Sequence, residues 1–323
     1  MWLQIVFGFA GYKIYRWVFA DDDIPDVGKH NSEAILAVSR RLEKIGGGKA
    51  YVGLRIPDPD TGDRQNIDIV LVTKKDVTIV SVLNVSGSVE VDGDGNWACS
   101  SGGYMNNVKV YPDPVAEITG QIDIFKLYLD QRGLTLPKGQ LNATVVLPNA
   151  KCRVTHSIDS MPEVISFNKW AELKPEGGRF TTWIKGAFSS DNADGLHQKL
   201  HSILSTSPMW DRLELKGDKH FFGEFVEFKG KHEDVQPLKH IKRSKVSQIT
   251  VQNASAFGSL GRSKVYLLCS PRNYGGEESS SSSSSESTEM VTRANVDVVF
   301  SPMNSKKTKR FSLSDVVLLV LGA

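Results

Sequence analysis

The sequence predicts two folded parts of different class, an α/β domain over residues 28–206 and an all-β domain over residues 209–323. As far as Pro208, segments with helical periodicity alternate with short β-type runs, the pattern of an α/β domain. Beyond Pro208 the runs are short, alternate in polarity and include no convincing helix. The length of 323 residues is sufficient for two cores, and 40% apolar with 24% charged residues is typical of a globular protein.

The α/β domain opens with an amphipathic helix that Asn31 or Ser32 caps and Gly46–Gly48 end. The predicted strands are Tyr51–Ile56, Ile67–Thr73, Val77–Leu83, Ser88–Val91, NATVVLPN and EVISF, and the later helices are DPVAEITGQIDIFKLYLDQRG and NADGLHQKLHSIL. The strands at Ile67–Thr73 and Val77–Leu83 are almost continuously apolar, which favours a central sheet covered on both faces.

The C-terminal part carries one low-complexity segment, GGEESSSSSSSESTE at residues 275–289. Its composition predicts a disordered loop. Two interpretations remain: a flexible insertion, or a cluster of phosphorylated serines that would add strong local negative charge.

The N-terminal residues 1–20 are apolar and aromatic, but Gln4, Lys13 and Arg16 interrupt them. The run Ile5–Tyr12 is shorter than the roughly 20 residues that cross a bilayer, and no small-residue cleavage site follows. The segment is interpreted as a short signal-anchor, an interfacial helix or a helix docked on the domain. Three scattered cysteines favour a reducing, intracellular compartment, with the domains cytosolic if this segment is a membrane anchor.

Several segments, in a fixed order along residues 28–206, carry a family resemblance: SEAILAVSRRLEK, GLRIPDPDTGDRQNIDIVLVT, TIVSVLNVSG, DGDGNW, DPVAEITGQIDIFKLYL and VVLPN. In these segments the chain resembles the nuclease-related (NERD) domain, in the form found in plant proteins with a short hydrophobic N-terminus. The resemblance implies a restriction-endonuclease-like core of the PD-(D/E)xK type, a central mixed sheet flanked by helices.

Transferred residue by residue, the resemblance implies a remnant nuclease site. Glu33 matches the helix acid, Asp68 the strand acid, and Gln121 a polar residue of the following helix. Ser81 stands where the second acid belongs and Leu83 where the lysine belongs. In active relatives the acids hold Mg²⁺ and the lysine activates the attacking water.

The two departures predict a degenerate site. Ser81 removes one negative charge, and Leu83 can neither donate a proton nor orient water. Removal of one electrostatic stabiliser typically lowers a rate by about 10²–10³, so loss of both groups should leave little turnover. Without the resemblance, Asp68 could equally be a strand acid paired with Arg64 or Lys75, and Glu33 a first-turn acid favoured by the helix dipole.

Two basic clusters are the candidate contacts for an anionic partner. A formal net charge of only +2 means that such a contact depends on local patches. Three interpretations remain: the clusters contact nucleic-acid phosphates, they contact anionic lipid, or they are solvated lysines at strand edges with no partner role. Their residues are Lys242, Arg243, Lys245, Lys306, Lys307, Lys309 and Arg310.

Taken together, the sequence predicts a non-catalytic binding module for nucleic acid or a protein, with a membrane surface as a further candidate partner through residues 1–20. The first alternative is a Mg²⁺-dependent nuclease that uses Asp68 and Glu33, with Mg²⁺ as cofactor only if the site is active. The second alternative is a membrane-tethered adaptor.

Overall fold

The computed structural model describes residues 31–74, 76–101, 107–173, 193–253, 264–272, 287–303, 305 and 307–322. The predicted N-terminal membrane segment, Lys75, Lys306 and most of the Ser-rich loop lie outside the described residues.

Helix α1 spans Asn31–Gly46 and forms where the sequence places its periodic apolar residues. Glu33 lies in the first turn and Lys44 in the last, the arrangement that the helix dipole favours. Gly47 follows with φ +63°, a left-handed conformation that glycine adopts without steric cost and that ends the helix.

The central sheet has five strands in the order β1-β2-β3-β7-β9. They are β1 Lys49–Pro57, β2 Arg64–Val72, β3 Val77–Val82, β7 Leu141–Val146 and β9 Val164–Ile165. The first three pair antiparallel, whereas β3, β7 and β9 are parallel. This mixed sheet agrees with the predicted restriction-endonuclease-like core.

Two helices cover the two faces of this sheet. The buried side of α1 packs with Ile69, Leu71, Val80 and Val82. Helix α2, Pro114–Asp130, packs with the alternate residues of the same strands, in the cluster that contains Val70, Val72, Ile79 and Val145. The prediction of a sheet covered on both faces is therefore confirmed.

A second sheet of four strands, in the order β6-β5-β4-β8, follows β3 along the chain. Its strands are β4 Gly87–Val91, β5 Trp97–Ser101, β6 Asn107–Tyr111 and β8 Cys152–Val154. Among the described residues, the other helices of the α/β part are α3 His156–Asp159, α4 Phe167–Glu172 and α5 Ala193–Ser205.

The side-chain alternation of β1 and β2 changes face at one position. Val52 and its partner Ile69 belong to the α1 side, whereas Leu54 and its partner Ile67 belong to the α2 side. Between these pairs stand Gly53 and Asp68. Gly53 has φ +70°, a conformation that L side chains rarely adopt, so glycine allows the strand to turn its side chains over at this point.

The C-terminal part is one antiparallel sheet of eight strands in the order β14-β13-β12-β17-β10-β11-β15-β16. The strands are β10 Asp211–Leu215, β11 Lys219–Lys229, β12 Val246–Asn253, β13 Lys264–Pro271, β14 Thr288–Arg293, β15 Asp297–Pro302, β16 Lys309–Ser312 and β17 Val316–Val320. Its apolar core is separate from the two clusters of the α/β part. The predicted all-β class is confirmed.

The expectation of no helix beyond Pro208 is wrong at one place. Helix α6, His232–Val235, and a 3₁₀ turn, Gln236–His240, connect β11 to β12, and a second 3₁₀ turn spans Leu313–Asp315. Four to five residues with a central proline are too few to show helical periodicity in the sequence.

The two parts meet where the chain passes from α5 to β10. Met209 forms a β-bridge with Leu54, and the N–H of Trp210 donates to the carbonyl of Gly53 at 2.9 Å. The Arg55 guanidinium stacks on the Trp210 ring, 3.8 Å from its centroid, and pairs with Glu224 at 2.6 Å. The free edge of β1 is therefore covered by the segment that leads into the C-terminal sheet.

A buried carboxylate, Asp211, connects four segments of the C-terminal sheet. Its side chain is 1% exposed and accepts backbone N–H groups of Phe225 and Gly322, each at 2.6 Å. The Arg243 guanidinium binds both carboxylate oxygens, one of them at 2.7 Å. This bidentate bond raises the pKa of Arg243 above its usual range. Asp211 thus fixes β10, β11, the loop before β12 and the residues after β17 against one another.

We expect Asp211→Ala to lower the free energy of unfolding by about 3–5 kcal/mol, because it leaves two N–H groups without their acceptor and removes the buried carboxylate that Arg243 binds. Glu224→Ala is the matched control, since it removes the acid of a half-exposed ion pair at the same border, and should change stability by about 1 kcal/mol or less. Urea denaturation of both variants measures the difference. Equal losses would contradict the role assigned to Asp211.

Candidate active site

Asp68 lies where β2 and β3 separate. The ladder between these strands runs from Val72 and Val77 to Ile69 and Val80, and there it stops. Beyond it, the Asp68 carboxylate accepts the N–H of Val82 at 2.8 Å, in place of a backbone carbonyl. Burial raises the pKa of Asp68 to about 6, the negative charge of Glu117 raises it too, and the Val82 N–H acts in the opposite direction.

Glu117 is the residue of this site that sequence reasoning missed. It lies in the first turn of α2, which begins at Pro114 with Asp113 accepting the N–H of Val115 at 2.9 Å. Gln121, one turn later, donates from its amide to the carbonyl of Asn66 at 3.1 Å. Helical periodicity could have identified Glu117, because residues four apart lie on the same side of a helix and the sequence assigns Gln121 to the site.

Ser81 and Leu83, the two positions that depart from the expected family pattern, lie at the end of β3 and directly after it. Ser81 stands on β3 between Val80 and Val82, which both face α1, so its half-buried side chain is directed to the face that α2 covers. Leu83 packs against the apolar cluster that includes α2, and its N–H donates to the carbonyl of Val146 at 3.0 Å. Leucine therefore serves as a core residue where an active nuclease carries its lysine.

Glu33 belongs to the other side of the core. It is half-buried in the first turn of α1, whose apolar side packs on the face of the sheet opposite to α2. The acid whose charge reaches Asp68 is Glu117, from α2. Asp68 thus feels the charge of Glu117, and Gln121 contacts Asn66, two residues before Asp68.

These residues meet only part of the requirement for Mg²⁺. The ion is usually held by one or two carboxylates together with water and phosphate oxygens, and Asp68 with Glu117 supplies two carboxylates. No group of three or more His, Cys, Asp and Glu within the described ranges is arranged to hold a metal. The site therefore offers two acids that interact electrostatically, and Leu83 at the position that the resemblance gives to the lysine.

The basic residues are divided between two regions of the C-terminal sheet. Lys242, Arg243 and Lys245 precede β12, whereas Lys309 and Arg310 are on the edge strand β16, which four strands separate from β12 in the sheet order. Lys307, in the loop before β16, is exposed.

Within each cluster the side chains differ in availability. Lys242 and Lys245 are exposed, but Arg243 is engaged with Asp211. Lys309 and Arg310 alternate along β16 and so point to opposite faces, with the Lys309 ammonium 5.7 Å from the Phe221 ring centroid. Lys309 and Arg310 therefore do not share one face of β16.

We expect Asp68→Asn to stabilise the protein at neutral pH by up to about 3 kcal/mol, because a pKa raised from 3.8 to about 6 means that ionised Asp68 opposes folding. Asparagine keeps an acceptor for the Val82 N–H but carries no charge. The native state holds the proton more tightly, so the gain should be present above the folded pKa and vanish as the pH falls towards about 4.

Thermal denaturation of both proteins across this pH range measures the effect. Glu117→Gln is the control, since it removes only the second acid and should give a smaller gain. A destabilised Asp68→Asn protein at every pH would show that Asp68 is a net structural contributor instead.

No helix in the described part of the chain has both the length and the apolar character that a membrane crossing requires. Searches of curated proteins and of solved structures return no match. One family model does match: residues 30–148 fit the nuclease-related domain. This range contains α1, strands β1 to β7, α2 and all five residues that the sequence assigns to the remnant site. The chain therefore contains a nuclease-related domain.

Proposed function

We propose that this chain binds nucleic acid without cleaving it, through the nuclease-related domain and a basic loop of the C-terminal sheet. The basic loop is defined as residues 239–245, which include the exposed lysines Lys239, Lys242 and Lys245. The observation that carries the proposal is the attachment of this loop beside the strand that bears Asp68.

The attachment runs through consecutive residues. Arg243 of the basic loop binds Asp211, and the preceding residue, Trp210, donates from its indole to the Asn66 side chain at 3.1 Å. Asn66 is two residues before Asp68 on β2. The loop cations and the remnant site thus belong to one border between the two parts of the chain.

The loop has the chemistry of a phosphate-contacting surface. Its three lysines are exposed, and Arg243 and Arg272 hold its backbone: Arg272 donates from Nε to the Arg243 carbonyl at 2.8 Å. Exposed lysines on a fixed loop bind phosphate oxygens mainly through charge and counterion release. With a net charge of only +2, this local concentration of cations matters more than the field of the whole molecule.

The absence of cleavage is argued from the site residues. Ser81 supplies no charge, and Leu83, which packs against the apolar core, can neither donate a proton nor orient water. These properties support a site that retains the fold of a nuclease site but not the side chains that cleavage requires.

The binding test compares the full chain with a Lys239→Gln, Lys242→Gln, Lys245→Gln variant on labelled single- and double-stranded DNA and RNA. Affinity should fall steeply between about 50 and 200 mM salt, and the slope for duplex DNA should decrease by about 0.9 for each lysine that contacts a phosphate. A Lys307→Gln, Lys309→Gln variant, at the start of β16 and in the loop before it, is the matched control. Unchanged affinity and slope in the triple variant would refute the role of the basic loop.

The cleavage test uses the same substrates with Mg²⁺ or Mn²⁺, and compares the natural chain with Leu83→Lys and Asp68→Ala. We expect no cleavage by the natural chain. Metal-dependent cleavage that Asp68→Ala abolishes would overturn the non-catalytic part of the proposal. Cleavage only by Leu83→Lys would support loss of the chemistry at that position.

Membrane association stays a prediction from residues 1–20. It is tested by sedimentation of the chain, with and without residues 1–20, together with anionic or neutral lipid vesicles. Binding to anionic vesicles but not to nucleic acid, lost in the triple lysine variant, would assign the basic loop to lipid instead and favour the adaptor interpretation.

A further inference from the structure

The border between the two parts has a second contact area, in which the β10–β11 hairpin lies on α1. Phe222 is 3% exposed and belongs to the apolar cluster of α1. Its N–H donates to the hydroxyl of Ser32 at 3.2 Å. The outward face of the hairpin is therefore the surface that docks on the helix.

Charged groups occupy the same face of the hairpin, next to Phe222. His220 is directly opposite Glu214 in the β10–β11 register, and its Nδ1 is 3.7 Å from a Glu214 carboxylate oxygen. Arg212, which is opposite Phe222, places its Nε 3.1 Å from the same Glu214 oxygen. The His220 side chain is 10% exposed and that of Glu214 is 17% exposed.

Four charges act on His220 from the surrounding elements. Glu214 and Arg212 come from β10, Asp218 from the hairpin turn, and Arg40 from α1. While His220 is neutral, the positive charges of two arginines around it are balanced by the negative charges of Glu214 and Asp218. A protonated His220 adds a third cation where Glu214 is already shared with Arg212, in surroundings that exclude most water.

We propose that His220 is a pH-sensitive latch, whose protonation weakens the docking of the β10–β11 hairpin on α1. While His220 is neutral, the hairpin stays packed on α1. When His220 is protonated, its positive charge is repelled by Arg40 of α1. Mild acidification therefore opens the contact between the nuclease-related domain and the C-terminal sheet. The latch is independent of whether the chain binds nucleic acid.

The direction of the pH effect follows from the burial of this side chain. Burial lowers the pKa of His220 below its ordinary value of 6.5, Glu214 opposes this shift, and Arg40 and Arg212 add to it. Because the closed state holds the proton less tightly than the open state, the docking energy is complete above the ordinary histidine pKa. It decreases as the pH falls below that value.

The test is hydrogen–deuterium exchange of the full chain from about pH 8 to pH 5, corrected for the intrinsic pH dependence of exchange and spanning the ordinary histidine pKa. We expect α1 and the β10–β11 hairpin to lose protection several-fold at the acid end, because protonation of His220 disfavours the closed state. The core of the five-stranded sheet should not change over the same range.

His220→Gln should remove this pH dependence, with His220→Asn as a second variant if glutamine disturbs the hairpin. His232→Gln is the matched control, because His232 is exposed on α6, away from α1. The latch is refuted if the natural chain keeps equal protection at both ends of the pH range. It is also refuted if His220→Gln and His220→Asn lose protection as the natural chain does.

Discussion

The buried carboxylate of Asp211 is the interaction on which the arrangement of the C-terminal sheet depends. One side chain binds two backbone N–H groups and a guanidinium that come from three separate segments of sequence. An isolated buried charge would be strongly unfavourable, so all three partners must be in place together. Through Arg243 the same carboxylate fixes the basic loop, and through its neighbour Trp210 it is attached to β2. The position of the proposed binding surface therefore depends on the ion pair between Asp211 and Arg243, and not on the lysine side chains.

The nuclease-related domain places the residues of the candidate site on a complete frame. The antiparallel and parallel pairings of the central sheet, the two covering helices and the separation of β2 from β3 at Asp68 are all present. Leu83 packs against the core, and ionised Asp68 opposes folding, because its pKa is raised by burial and by Glu117. Strongly shifted pKa values of this kind are common at functional positions, so Asp68 is a candidate for a residue whose retention costs stability.

The sequence predicted the fold better than it predicted the site. Alternation and helical periodicity depend on near neighbours in the chain, so Val77–Val82 and Asn31–Gly46 were evident from local pattern. Glu117 and Asp68 are far apart in sequence, and their proximity follows from how α2 lies on the sheet, which no local pattern reports. For the same reason the sequence could not show that Arg243 is engaged, because its partner Asp211 lies on a strand distant in the sequence. The alternation rule could have separated Lys309 from Arg310 in advance, since neighbouring residues of a strand face opposite sides.

Strand β17 has a consequence for how the chain folds. It lies between β12 and β10 in the sheet, yet it follows every other strand of that sheet in the sequence. During synthesis, β12–β14 and the group of β10, β11, β15 and β16 emerge first and cannot join through it until Val316–Val320 arrives. Both groups meanwhile present an unpaired edge, and sequence-distant pairings of this kind form slowly. The nuclease-related domain is therefore complete well before its partner sheet, and the period of greatest exposure to misassembly belongs to the C-terminal part.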